Sequence, residues 1–401
     1  MNIVAPLQVR GGRGRERTER ILAALDRRGG QGIPIGEWVW SDFVDRCRAE
    51  LGTGGDFDPD RYWDLDYVVL TPNHDPRIAG IEVIEESPTR TLVRTGFGST
   101  IEVRAGMSMP AYVDFEVRTF EDLEQLHFDD PSDERRFQSP IDDLFNSVGD
   151  RLRLGQTSFV DRVASYADDF FVFGAVCDPY EMLWRIVGTE PSLLMLGEDP
   201  ARIGRFAERL GDYLVGLVHG QVAAAGNALS GLFIWGDVAY DHGMLFSPAT
   251  WRTLFKPQVW RICEAAHSHG LKIAYHGDGD DRAIWDDLVE CGIDAKQPLE
   301  AKAGLDVVDA LASYGDRLSF MGNIDVRVLA TNDLEKVRRE VLRKLEAGAG
   351  GGYIISSDHS IPGDVSPETF AFYRQLVEEH GGRVPRTDIA AQRGPSFADH
   401  G

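Results

Sequence analysis

From Asp168 onward the chain alternates short apolar runs with amphipathic stretches, and this rhythm most limits what it can fold into. FFVFGAV (170–176), LFIWGDV (232–238), LKIAYHG (271–277), DAKQPL (294–299), LSFMGNID (318–325) and GGYIISSD (351–358) read as buried strands. Strands of this kind separated by helices form a parallel sheet covered by helices. Two earlier runs, IPI (33–35) and YVVLTP (67–72), bring the strand total to eight. The reading is an α/β fold, a (β/α)8 TIM barrel. No GxGxxG follows the first strand, which counts against a dinucleotide-binding fold.

The helices are marked at their ends. Residues 200–225 are long and periodic. Ser247 and Pro248 open a helix that should run to His269, where Gly270 stops it. Residues 331–345 carry Glu and Lys/Arg pairs at helical spacing, and Ser366-Pro367-Glu368 opens the last helix. One region breaks the pattern. Residues 73–167 contain IEVIEESPTRTLVRTGFGSTIEVRAG, which alternates like an antiparallel hairpin, followed by acidic loops. We read it as a β-rich insertion after strand 2 that caps the barrel mouth. The barrel proper is expected over 17–380, with disordered ends at 1–16 and 381–401.

The balance of 65 Asp and Glu against 42 Lys and Arg gives a net charge of -23. Such a surface repels phosphates, so nucleic acid and anionic membranes are not expected partners. The four cysteines, Cys47, Cys177, Cys263 and Cys291, show no CxxC or zinc-finger spacing, which suits a reducing compartment. No run reaches the ~20 apolar residues of a membrane span, and the expected location is the cytoplasm. The sequence has no GxSxG and no Cys–His pairing with motif support, so nucleophilic acyl transfer is not expected, and it has no Walker loop.

In a barrel of this type the reactive groups sit where strands end. Those positions hold Asp178, Asp237, His276, Asp278, Gln297, Asn323, Asp325, Asp358 and His359. His276, Asp278 and His359 make a two-histidine, one-carboxylate set suited to Zn, Fe, Ni, Co or Mn. The alternative for His276 and Asp278 is a buried hydrogen-bond network with no metal. Asp237 leaves an apolar strand and is a candidate acid, base or ligand, or else a loop cap. Asp178, Gln297, Asn323 and Asp325 are candidates to bind substrate or to orient ligands. Trp38 is a candidate apolar wall for a flat substrate.

At these residues the chain resembles the uroporphyrinogen decarboxylase superfamily, which includes cobalamin-dependent methyltransferases. TERILAALDRRGGQGIPIG (18–36) is similar to its opening helix and first strand. FIWGDVAYDHGMLFSPATWRTLFKPQVWRICEAAHSHGLKIAYHGDGD (233–280) is similar to its central signature. ECGIDAKQPLEAKAGLDVV, YGDRLSFMGNIDVRVL and GGGYIISSDHSIPGDVSPE follow in the superfamily's order. The resemblance implies a (β/α)8 barrel and, from the decarboxylases, a homodimer. Two departures separate the branches. The tetrapyrrole decarboxylases carry an arginine-rich RQAGRY block after the first strand, where this chain reads IGEWVWSDFVDR (35–46). The methyltransferases hold zinc with a His-x-Cys pair and a later Cys. His276 matches that histidine, Asp278 stands for the first Cys and His359 stands near the second. Harder ligands of this kind are poorer at activating a thiol.

The resemblance implies a metal-dependent methyltransferase or demethylase acting on a small molecule, with zinc as the first metal and a corrinoid protein as partner. In that scheme His276, Asp278 and His359 hold the metal and Asp237 is the acid or base. A rival reading is decarboxylation of a porphyrinogen-like or small aromatic acid, with Arg185 and Lys296 as the carboxylate-binding cations. A third is a barrel that binds a corrinoid or tetrapyrrole without turnover.

Overall fold

The computed structural model describes residues 12–55, 57–78, 82–104, 110–139 and 157–382. Strand β1 (Tyr67–Leu70) is followed by an antiparallel group, β2 (Glu82–Glu86), β3 (Arg90–Arg94), β4 (Ser99–Arg104) and β5 (Ala111–Phe115). The parallel series resumes with β6 (Phe171–Cys177) and β7 (Gly231–Trp235). A two-residue hairpin, β8 (Ala239–Tyr240) and β9 (Gly243–Met244), precedes β10 (Lys272–His276). β11 (Ala295–Gln297), β12 (Ser319–Ile324) and β13 (Tyr353–Ser357) complete the set. The main sheet has seven strands in the order β1-β6-β7-β10-β11-β12-β13, and all its pairings are parallel.

The eighth expected strand, 33–35, is reduced to a bridge. Ile35 pairs with Ile355 of β13, and the Asp66 amide donates to the Ile35 carbonyl at 2.8 Å. The segment thus touches both edges of the sheet. Pro34 has no amide hydrogen to give, which limits its share in a ladder. β6, buried along its whole length, matches its continuous apolar run.

The inner face of the sheet packs Val69, Phe173, Phe233, Ala274 and Ile354 together. Ile21, Ala24 and Leu25 of the helix Gly12–Leu25 join the same cluster. That helix end is tied down by the Ser319 hydroxyl, which donates to the Ala24 carbonyl at 3.0 Å. The outer face carries the larger core, including the helix Pro200–Ala225, whose Leu210, Leu214 and Leu217 are buried.

Three expectations are corrected here. The chain is helical from Gly12, not from residue 17; residues 1–11 lie outside the described residues, as do 383–401 of the expected tail. The helix opened by Ser247 does not run to His269 in one piece but as Pro248–Leu254 and Lys256–Ser268. Pro257 is the cause, because it lacks an amide hydrogen and crowds the preceding turn. The helix expected over 331–345 is preceded by a separate short one, Val326–Ala330, and begins at Leu334, where Asp333 caps it. The insertion is β-rich as read. Its sheet meets the helix Pro179–Val187 through Tyr112, whose ring lies 5.3 Å from that of Trp184. Residues 79–81, 105–109 and 140–156 of the insertion lie outside the described residues.

Glu37 supplies a pH test of the join between chain start and chain end. The residue is 7% exposed; Oε1 accepts from the Ser357 amide at 2.8 Å and the Tyr373 hydroxyl at 2.9 Å, and Oε2 lies 2.5 Å from the Ser357 hydroxyl, whose own hydrogen has the His359 carbonyl at 2.6 Å. Burial pushes the Glu37 carboxyl from its ordinary 4.5 up to about 8. The fold therefore keeps a proton that the unfolded chain has lost. This contribution to stability is complete below the unfolded value and disappears as pH rises through about 8. Glu37→Gln should flatten the fall of unfolding free energy between about pH 5 and 8. An unchanged slope in urea titrations would show that Glu37 does not hold the proton.

Candidate metal centre

The parallel register sets the site. His276, the last residue of β10, is level with Trp235 of β7 on one side and Gln297 of β11 on the other. His276 Nδ1 meets Gln297 Oε1 at 2.5 Å. With Nδ1 protonated to donate to that oxygen, Nε2 is left with its lone pair. Nε2 stands 3.5 Å from Asp237 Oδ1 and 3.8 Å from Asp278 Oδ1. Two ligands ~2.1 Å from one ion at the tetrahedral angle stand about 3.4 Å apart, so this spacing suits a common ion. A hydrogen-bond acceptor behind a histidine ligand, commonly a carboxylate or backbone carbonyl, fixes its ring, and here the Gln297 amide oxygen takes that place.

The loops are held in place by backbone bonds. The Asp278 amide donates to Asp237 Oδ1 at 3.0 Å, which locks the exit of β7 to the exit of β10. The Asp280 amide donates to the Tyr240 carbonyl at 2.9 Å, laying the β8–β9 hairpin across the same loop. Gly279 is required there. Its φ is 79°, and a Cβ would lie 2.6 Å from Tyr240 backbone atoms. Beneath the loop, the Lys296 ammonium is fully buried and donates to the carbonyls of Gly277 at 2.8 Å, Gln297 at 3.0 Å and Pro298 at 3.2 Å.

Asp278 is held well above the usual carboxylate range, first by burial and then by the Asp237 and Glu300 carboxylates. Its side chain keeps 34% exposure, so solvent tempers the burial contribution and the crowding of carboxylates is the sturdier cause. A cation among them would relieve that crowding. Among the described residues, two groups bring three donors within 4.8 Å of one another: Asp237–His276–Asp278 and Asp278–Glu300–His359. Below His276 the floor is aromatic, with the Trp235 ring at 4.9 Å and Phe233 at 6.0 Å. Trp38 packs on Phe233 at 5.4 Å and on Trp235 at 6.1 Å.

A model of the family described as uroporphyrinogen decarboxylase (URO-D) matches residues 91–380. The chain belongs to this family. Its curated members include the uroporphyrinogen decarboxylase of Aeromonas salmonicida, 22% identical over 85% of this chain and 86% of that protein. The enzyme of Shewanella piezotolerans is 24% identical over 47% of this chain, which spans about half of that relative, 51% of its length. A methyltransferase from Methanosarcina mazei has a similar fold, with a TM-score of 0.62 at 16% identity, over 90% of this chain and 98% of that one. The family thus holds enzymes, decarboxylases among them. No helix of the described residues is long and apolar enough to cross a membrane.

Within this family frame the expected site residues separate. His276, Asp278, Asp237, Gln297 and Trp38 come together as described. The expected ligand set is divided, because His359 groups with Asp278 and Glu300, and His276 with Asp278 and Asp237. Asp178 is fully buried and caps the helix Pro179–Val187, accepting from the Tyr180 amide at 2.7 Å and the Tyr275 hydroxyl at 3.1 Å. Burial brings it to about 7, but it faces protein and not an open site. Asn323 is also fully buried, with φ 77°, and its amide anchors the backbone of Val307, Leu299 and Leu305. Asp325 caps the helix Val326–Ala330 and pairs with Arg327 at 2.8 Å. Asp358 accepts the amides of Val326 and Ala301, both at 2.9 Å, and ties two loops.

Two residues were missed by the sequence reading. Glu300, 2% exposed, sits just after β11 and accepts from the Gly279 amide at 2.7 Å. Glu181, 1% exposed, accepts from the Asp237 amide at 3.2 Å and pairs with Arg185 at 2.6 Å. Glu300 lies three residues beyond Gln297, within reach of a strand-end search carried slightly further. Glu181 lies inside a helix and gives no such signal.

Proposed function

We propose that this chain is a metal-dependent enzyme of the uroporphyrinogen decarboxylase superfamily that transfers a methyl group from a small molecule, with a corrinoid protein as partner. A closed (β/α)8 barrel, whose eighth position is taken by the segment around Ile35, and a homodimer in the cytoplasm belong to the same proposal. The observation that carries it is the donor set Asp237, His276 and Asp278, with the imidazole held from behind by Gln297. Zinc is the first ion to test, and it would supply Lewis acidity at a donor atom of the substrate. Asp237 Oδ1, 3.5 Å from His276 Nε2, then serves as a ligand in place of His359. Trp235, Phe233 and Trp38 exclude water from below and offer a flat apolar surface to an aromatic or methoxylated substrate.

Decarboxylation is the second reading, supported by the curated relatives. It needs cations for the substrate's carboxylates. The two expected ones are committed elsewhere: Lys296 is fully buried on three carbonyls, and Arg185 is held by Glu181 and the Tyr112 hydroxyl. The Asp237 carboxylate, 39% exposed beside His276, repels a polycarboxylate.

The test is metal content by mass spectrometry, followed by screens of methoxylated compounds with a corrinoid acceptor. Stoichiometric metal with methyl release supports the proposal; carbon dioxide release by metal-free protein favours the second reading. Gln297→Ala should weaken metal binding roughly 10–100-fold, as removal of a group orienting a ligand does. Equal affinity in parent and variant would mean that Nε2 needs no such support.

A further inference from the structure

Asp278 stands in two donor groups at once, and a single ion leaves one of them unused. We propose that the site takes two divalent cations, one on Asp237 and His276 and the other on Glu300 and His359, with the Asp278 carboxylate bridging them. This rests on the metal reading above and extends it from one ion to two.

The donors are hard oxygens and imidazole nitrogens, which suit Mn, Fe, Co or Zn. In each group they lie within 4.8 Å of one another. A bridging carboxylate gives one oxygen to each ion, and paired ions in enzymes sit about 3.5–4 Å apart. Among the described residues the Asp278 oxygens accept no hydrogen bond; His276 Nε2 stands 3.8 Å from Oδ1. Both oxygens are therefore open to ions. His359 is exposed, with its ring 5.8 Å from that of Trp40, and is free to turn toward Asp278.

Glu300 already has partners. Oε2 takes the Gly279 amide at 2.7 Å, and Oε1 faces Lys302 Nζ at 3.1 Å. Lys302 is also 3.5 Å from Asp241 and its side chain is 47% exposed, so it can leave Glu300 for Asp241 without being buried. Formal charge agrees. Four carboxylates (Asp237, Asp241, Asp278, Glu300) against the Lys302 ammonium leave three negative charges. One divalent ion leaves the site negative; a second makes it positive by one, the sign that an anionic substrate oxygen needs.

The experiment is Mn(II) titration of the full chain by equilibrium dialysis, with paramagnetic resonance spectra of the loaded protein. The parent should take two ions and show a spin-coupled signal. His359→Ala and Glu300→Gln, checked for fold by circular dichroism, should each take one ion and show an uncoupled signal. One ion in the parent, unchanged in His359→Ala and Glu300→Gln but lost in His276→Ala, overturns the second ion and leaves the single-ion reading standing. No ion in the parent overturns both.

Discussion

His276→Ala should give a folded protein that holds no metal in the Asp237–His276–Asp278 group and turns over on the order of a thousandfold more slowly. A metal Lewis acid contributes several kcal/mol to the transition state, and about 1.4 kcal/mol is a factor of ten. The fold should survive. The imidazole is 17% exposed, and among the described residues its side-chain hydrogen bond goes to Gln297, which is 3% exposed. Leaving the Gln297 amide oxygen without that partner costs about 1–3 kcal/mol. Metal analysis, turnover and a melting curve on one preparation decide the matter. Undiminished activity at parental metal content would remove His276 from the site.

Lys296→Met should cost about 3–5 kcal/mol of stability, the range for an ion left alone when its buried partner is removed. Lys296 and Asp281 are both fully buried and 3.3 Å apart. The contact is an ion pair in which Asp281 Oδ2 accepts no aligned hydrogen bond; the other oxygen takes the Trp285 indole at 2.8 Å. The variant strands the Asp281 carboxylate and the carbonyls of Gly277 and Pro298, while the Gln297 carbonyl keeps the Gly277 amide at 2.8 Å. Gly277 lies between His276 and Asp278, so metal binding should weaken together with stability. Adding Asp281→Asn should restore part of the loss, because it removes the uncompensated charge. Urea unfolding measures each term. A single-variant cost under about 1 kcal/mol would mean that water enters and solvates the site.

The parallel strands were legible because burial on both faces leaves an unbroken apolar run, as in FFVFGAV, and because helical stretches separate those runs. The segment around Ile35 was harder, since a three-residue run with a central proline makes only a bridge. The site was legible as a set of strand exits and not as a set of contacts. Polar residues occur at nearly every exit, but the fold uses some of them to hold its own loops. Asp178 and Asp325 cap helices, and Asn323 ties three backbone groups, tasks that look the same in sequence as binding a substrate. Whether His276 faces Asp237 or His359 depends on how the sheet curves, and nothing in the spacing of residues along the chain encodes that.

Residues near Ile35 hydrogen-bond to Asp66, just before β1, and to Ile355 of β13, and the Ser357 amide reaches back 320 residues to Glu37. A ribosome adding about 5–20 residues per second spends roughly 16–64 s between making one side of that join and making the other. Throughout that interval Ile21 and Leu25, which end inside the sheet, have only part of their enclosure. The nascent chain must therefore emerge with the apolar surface of Ile21 and Leu25 uncovered, and a pause or truncation late in synthesis leaves that surface to chaperones and proteases.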